Sequence, residues 1–275
     1  MKRVILLCLL FETFVFVSGC KDAKTGIVIP EQVEKYPTTL NSEWEYETAS
    51  YVAKYDKNGN IGNDSLAWPI SYSVVRITSV NDSIYGEKNL LRFDFGSNLE
   101  YSTGTHWYRN NDNALEMVAY SGMERNWVTP KIKKTSPLLF LKYLSTRVMP
   151  ETVLPLINDS IYFLKKNVLE YPLTVGKNWD IFLPDGLRIN RTILGKSQFV
   201  YRESNTECFD IKSTYYRSNE LDTQTDEHDY ISLEYGLLKR ETIIDSIPKT
   251  TVENPYGTGE FYRYKLTSIL IRKSN

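Results

Sequence analysis

The stretch SYSVVRITSV, Ser71 to Val80, decides the fold class. Read two residues at a time, it sets Val75 and Ile77 on one face and Tyr72, Val74 and Val80 on the other. Successive side chains leave opposite faces of a pleated strand, whereas a helix would repeat about every 3.6 residues. Outward from it, LLRFDFG, RINRTIL, CFDIKSTYY, DYISLEYGLLKRETII and EFYRYKLTSILIR keep the same style, with Asn, Asp, Gly or Pro between them. Aromatics make up 13% of the chain, with 20 Tyr, 11 Phe and 5 Trp, and such residues favour strands. Asn58-Gly59, inside KYDKNGNIGND, predicts a tight hairpin because a primed turn needs positive φ. Asn81-Asp82 and Pro184-Asp185-Gly186 predict further turns. One run, LLFLKYL behind Ser136 and Pro137, carries helix-start signals, and a buried strand fits it as well. The expected fold is mainly β and antiparallel.

A phrase recurs. YPTTLNSEWEYE (Tyr36 to Glu47) and YPLTVGKNWDIF (Tyr171 to Phe182) share Tyr-Pro followed at equal spacing by Trp: Tyr36, Pro37 and Trp44, then Tyr171, Pro172 and Trp179. Each is followed by a strand bearing an Arg, Arg76 or Arg191, and later by Phe93-Asp94-Phe95 or Phe209-Asp210-Ile211. This predicts two similar curved-sheet modules, residues 36–170 and 171–275, packed as one body as a half-open barrel or sandwich. In each, the Trp would enter the core as the first strand joins the sheet. A Pro ahead of the strand suits this, since it offers no donor to a ladder.

The N-terminus reads MKRVILLCLLFETFVFVSGCKD. Lys2 and Arg3 precede an apolar run broken once by Glu12. That run is shorter than the about 20 residues a spanning helix needs, and its flanks are those of a signal peptide. Val17-Ser18-Gly19-Cys20 resembles the lipobox of bacterial lipoproteins. The resemblance implies a signal peptide over 1–19, diacylglycerol on the Cys20 thiol, and a tether over 20–35. Two or three acyl chains would hold such a protein stably on a membrane. YPLTVGKNW, ECFDIK and EYGLLKRE together are similar to a broad group of uncharacterised Gram-negative lipoproteins, a group with no activity to transfer. On composition and compartment there is a looser likeness to carriers of the LolA and LolB type, whose half-open antiparallel barrel holds acyl chains. The implied location is the cell envelope, most readily the outer membrane, on its periplasmic face or the cell surface.

Catalytic signals are sparse, and no catalytic, metal or cofactor set is expected. Net charge is −1 with both signs interspersed, which excludes the basic footprint of a nucleic-acid binder. Once Cys8 is removed and Cys20 acylated, Cys208 stands alone and is expected to be a small buried side chain. Only His106 and His228 could act as imidazole bases. His228, in DEHDY, is read as part of a charged turn before a strand, with a cation site as the alternative. The calcium-like alternation of Asp56, Asn58 and Asn60 fails, since Gly62 falls one place late and Ala67 stands where a bidentate Glu belongs. Gly195-Lys196-Ser197 lacks the earlier Gly of a phosphate loop, and no Gly-x-Ser-x-Gly elbow occurs. Asp94 and Asp210 are expected at solvent-facing or turn-capping places. Tyr215, Tyr216, Tyr262, Tyr264, Trp107 and Tyr108 would form either a stacking platform or the lining of an apolar cavity. Three functions remain: a non-catalytic binder of an apolar or envelope ligand, an interaction protein contacting a protein partner or glycan, and an envelope hydrolase. A cleft joining His228 to two carboxylates would favour the third.

Overall fold

The computed structural model describes residues 33–55, 58–60, 66–67, 70–97, 104–122, 161–183, 187–217, 220–248 and 261–274. The Ser136–Pro137 run and the Pro184-Asp185-Gly186 turn lie outside them. All regular structure among the described residues is β. The strands are β1 (Glu43–Lys54), β2 (Leu66–Ala67), β3 (Ser71–Ile84), β4 (Glu87–Ser97), β5 (Gly104–Asn110), β6 (Ala114–Gly122) and β7 (Ile161–Glu170). The second half supplies β8 (Asn178–Phe182), β9 (Leu187–Tyr201), β10 (Ser204–Arg217), β11 (Glu220–Leu221), β12 (Thr225–Ser232), β13 (Gly236–Pro248) and β14 (Phe261–Ser274).

Twelve of these form one antiparallel path in the order β7-β6-β5-β4-β3-β1-β14-β13-β12-β10-β9-β8, with the short β2 on β1 and β11 on β10. Within each half neighbours in sequence are neighbours in space, the simple connectivity of meanders joined by hairpins. The halves meet where the first strand of one, β1, pairs with the last strand of the other, β14. The path curls until β7 and β8 approach, so the sheet is nearly closed into a barrel. Residues 33–275 form a single compact unit.

The concave side holds the core. One apolar cluster draws on all twelve strands of the path, from Trp44 and Tyr46 of β1 through Ile77, Phe93, Tyr108, Met117 and Leu169 to Trp179, Ile193, Ile211, Ile231, Leu238 and Leu270. The other face carries ion pairs: Glu43 with Arg76 and Arg272, Glu45 with Arg272, and Lys212 with Asp226. A membrane-spanning barrel shows the reverse polarity, apolar outside and polar inside. A smaller satellite of Ile84, Leu90, Trp107, Val118 and Ala119 packs separately, and the Trp107 Nε1–H donates to Asp82 at 2.9 Å.

Two turn expectations meet the structure differently. Gly59 sits at φ +79° and β2 pairs back onto β1, in keeping with a hairpin around Asn58-Gly59. Asn81-Asp82 does not turn. It lies inside β3, where Asp82 faces Leu90 across an irregular ladder. The chain reverses at Tyr85-Gly86, whose φ values of +44° and +89° supply the two left-handed residues that a tight hairpin requires.

Candidate functional site

The repeated Tyr-Pro phrases meet each other. Tyr36 and Pro37 precede β1, while Tyr171 and Pro172, joined by a cis peptide bond, follow β7. The Tyr36 amide donates to the Tyr171 hydroxyl at 3.0 Å, which donates to Asn110 Oδ1 at 2.9 Å; Asn110 Nδ2 returns to the Tyr36 carbonyl at 3.0 Å. Trp44 and Trp179 are the second residues of β1 and β8 and are 1% and 5% exposed. Each buried indole is satisfied by a carbonyl from another element, Trp44 by Tyr235 at 2.7 Å and Trp179 by Asn167 at 3.0 Å. Gly236, at φ +87°, leaves room for this corner. A Cβ there would fall 2.7 Å from the Tyr36 hydroxyl and 3.1 Å from Trp44 Nε1. Val17, Ser18, Gly19 and Cys20 lie outside the described residues.

The DEHDY reading needs correction. The stretch is the body of strand β12, not a turn before one. In a strand the five residues must alternate, so Asp226, His228 and Tyr230 fall on one face while Glu227 and Asp229 are carried to the buried one. There Asp229 is gripped by two arginines, Arg240 from the adjacent β13 and Arg191 from β9, one strand beyond β10. Arg191 Nη2 donates to Asp229 Oδ2 at 2.5 Å, and Arg240 donates through Nε to Oδ1 at 2.6 Å and through Nη2 to Oδ2 at 2.9 Å. Arg191 also gives Nη1 to the Val168 carbonyl at 2.9 Å and lies over the Trp179 ring at 5.8 Å; its Nε is buried without a hydrogen-bond partner. Glu227 sits one pair along, within 3.4 Å of the Thr242 hydroxyl and in contact with the Tyr215 phenol. Burial pushes the Glu227 carboxyl above its usual range; the charge of Asp229 adds to this, while Arg240, Tyr215 and Arg191 oppose it. Burial likewise pushes the Tyr36 phenol up to about 12.

Register shows how these groups come together. One cross-strand row reads Ile193, Ile211, Asp229, Arg240, Ser268, Thr48. The next reads Trp179, Arg191, Ser213, Glu227, Thr242, Leu266, Ser50. Directly opposed side chains in adjacent strands are about 5 Å apart, so two such rows make a continuous polar belt. The Thr48 and Ser268 hydroxyls close it at 2.8 Å. The belt belongs to the concave side, because Thr48 and Ser268 stand two residues from Tyr46 and Leu270 of the core. Asp229 and Arg191 side chains are 2% and 5% exposed, yet the Arg240 side chain between them and Ser268 is 32% exposed. Water reaches the belt at Arg240.

From the sequence Arg191 is marked only as part of the repeat, Glu227 and Asp229 only as part of the charged DEHDY stretch, and Arg240 not at all, although a signal for their pairing is present. Arg191 falls on the apolar beat of Leu187, Ile189 and Ile193; Arg240 keeps step with Thr242 and Ile244; Glu227 and Asp229 keep step with Ile231. Four charges on buried beats of three strands must pair or be lost.

On the opposite side of β12, His228 Nδ1 lies 2.7 Å from Asp210 Oδ1 and Nε2 lies 3.4 Å from Asp226, which also pairs with Lys212 at 2.7 Å. A histidine with two carboxylates is therefore present. The nearby thiol is unsuited to partner it as a nucleophile. Cys208 is fully buried, and burial first, then Asp210 and Glu207, push it up to about 11, the opposite of what thiolate chemistry needs. Asp94 does not end a strand or cap a turn: it accepts from Thr78, Thr105 and Arg92 within β3, β4 and β5. Of the six aromatic residues considered for a platform, Tyr215, Tyr264, Trp107 and Tyr108 are buried, and Tyr216 lies under Arg188 at 4.0 Å. They form no exposed stacking row.

No family model matches this sequence, and no curated protein matches it. Among solved structures, the chain is similar to a crystal structure from Bacteroides fragilis NCTC 9343 of a protein described as exported, with a YmcC-like fold. The similarity covers 88% of this chain and 100% of that one at 10% identity, with a TM-score of 0.41.

Proposed function

We propose that this is a lipid-anchored protein of the cell envelope that binds, without catalysis, an amphipathic ligand on the concave side of its barrel. Cys20 would carry the acyl chains and residues 20–35 would tether the body to the outer membrane. One observation carries the binding reading. The Arg240 side chain faces the concavity of a nearly closed barrel and is 32% exposed, whereas the Asp229 it grips is 2% exposed. A filled interior would cover both. The burial of the platform aromatics turns the balance away from glycan stacking, and the raised Cys208 thiol away from nucleophilic hydrolysis.

The test is native mass spectrometry of the body from Lys21 onward, secreted and purified gently. Extra mass matching an amphipathic molecule, lost on delipidation, is the expected result. A bare mass that stays bare after incubation with envelope lipids overturns the binding reading and leaves the protein as a contact for other envelope proteins. The anchor is tested separately. Cys20→Ala should leave the protein unacylated and free of membranes, and continued partitioning of that variant with membranes overturns the lipoprotein assignment.

A further inference from the structure

We propose that the seam between β7 and β8 is the port through which the ligand's apolar chain reaches the concave side, opening and closing as those two strands part. The proposal rests on the binding reading above and adds the route by which that site is filled.

Every neighbouring pair along the path is joined by a ladder, and β7 and β8 are its two ends. Two side chains hold the seam shut. Trp179 Nε1 donates to the Asn167 carbonyl at 3.0 Å, and Arg191 Nη1 donates to the Val168 carbonyl at 2.9 Å. In a regular strand the carbonyls of adjacent residues point to opposite neighbours. Here a bulge intervenes: across from β6, Leu115 faces Leu169 while Glu116 faces Asn167, so Val168 is the extra residue. The bulge lets both carbonyls face the seam, where they are taken by side chains instead of by a strand.

Opening this seam breaks little. Arg191 stays behind on β9, held by Asp229 through Nη2 at 2.5 Å, and Trp179 stays on β8. Only Asn167 and Val168 move away with β7, and their carbonyls can turn to water. Parting β1 from β14 would instead break a ladder of twelve residue pairs. Arg191 also keeps Nε buried without a hydrogen-bond partner, so the closed seam is not fully satisfied. The inner lips suit an apolar chain. Leu169 of β7 and Trp179 and Ile181 of β8 all belong to the main apolar cluster, with Leu164 and Val168 packed against it. A chain passing between the strands therefore meets apolar side chains, which favour it over water.

The experiment uses the body beginning at Lys21, which retains the compact unit from Val33 to Asn275 and whose one thiol, Cys208, is fully buried. Phe163 lies four residues from Asn167 on β7, and Phe182 three from Trp179 on β8; both side chains are exposed. Phe163→Cys with Phe182→Cys is bridged by a reducible bis-maleimide, and uptake of Nile red, a neutral apolar probe, is followed by stopped flow. The expected result is that the bridge slows uptake about tenfold with the final signal unchanged, and that reductive cleavage of the bridge restores the rate. A bridge across the zipped join, Tyr51→Cys with Lys265→Cys, which stand opposite each other on β1 and β14, should leave the rate as it was. Trp179→Phe, which removes one of the two seam bonds, should speed uptake about fivefold. If the bridged seam fills as fast as the cleaved one, or if both bridges slow uptake equally, the ligand enters elsewhere and the port is wrong while the binding reading stands. If the protein takes up no probe with its seam bridged or free, both fall together.

Discussion

The two joins between the halves of this barrel are made in different ways. At the first, β1 and β14 zip along twelve residue pairs, from Glu43 opposite Ser274 to Lys54 opposite Tyr262. Outside the ladder Arg272 bridges Glu43 and Glu45; inside it Thr48 meets Ser268. At the second, β7 and β8 end the path with no ladder between them. Two side chains of the second half reach across to the backbone of β7: Trp179 to the Asn167 carbonyl and Arg191 to that of Val168. β8 is only five residues long, with Pro172 ahead of it, and short edges with nearby prolines resist pairing. A ladder shares its hydrogen bonds among many residues, so losing one costs little. A join made of two side chains concentrates the same task in an indole and a guanidinium, and such regions open locally before the rest.

The strongest challenge to this contrast is Arg191→Met. It removes a bridge to β7 and leaves Asp229 buried with one partner fewer, which costs about 3–5 kcal/mol. Urea denaturation should show that loss, and hydrogen exchange should quicken in β7 and β8 before β1 and β14. Uniform quickening would mean that the second join is no weaker than the first. Next in size is Gly236→Ala, on the zipped side. The new Cβ would press on Tyr36 and Trp44 from a backbone at positive φ, for a loss of about 3 kcal/mol.

A matched pair sharpens the comparison. Trp44→Phe and Trp179→Phe each remove one indole hydrogen bond to a carbonyl, at a cost of about 1–2 kcal/mol. Only the Trp179 change should speed exchange in β7, because only its bond spans the open join. On the ladder's outer face, Arg272→Met should shift stability by no more than about 1 kcal/mol, as exposed ion pairs generally do.

The belt between the joins has a pH signature of its own. The folded Glu227 carboxyl is raised above its ordinary value, so its contribution is fully present in acid and fades as pH rises through the raised pKa. Glu227→Gln should gain on the parent protein as pH climbs from below about 4.5 toward neutrality. Asp245 behaves in the opposite sense. Burial works against its ionised form, but hydrogen bonds from Arg263 and Tyr55 outweigh burial and lower its pKa, so its contribution is lost as acid protonates it. Guanidinium melts of the Gln variant across pH would separate the two. A difference that stays flat with pH would show that Glu227 is not strained by its burial.

Much of the frame was legible from local pattern. Ser71 to Val80 alternates as a strand and is one, and Gly59 of the Asn58-Gly59 pair takes a positive φ. Asn81-Asp82 misled because its turn chemistry competes with sheet pairing, and Tyr85-Gly86 won the reversal next door. DEHDY misleads because its density of charge masks its alternation. Those five residues look solvated as a group, yet a strand cannot keep Glu227 and Asp229 on the same side as Asp226 and His228.

The sequence by itself determined that this chain is a run of antiparallel strands with an apolar beat, because a period of two is written in neighbouring residues. Only the tertiary structure decided that β14 closes on β1, that β8 merely leans on β7, and that Arg191 and Asp229, 38 residues apart, share a bond. Those outcomes depend on register between distant strands. Register emerges when all rows pack at once, so no single stretch of the chain encodes it.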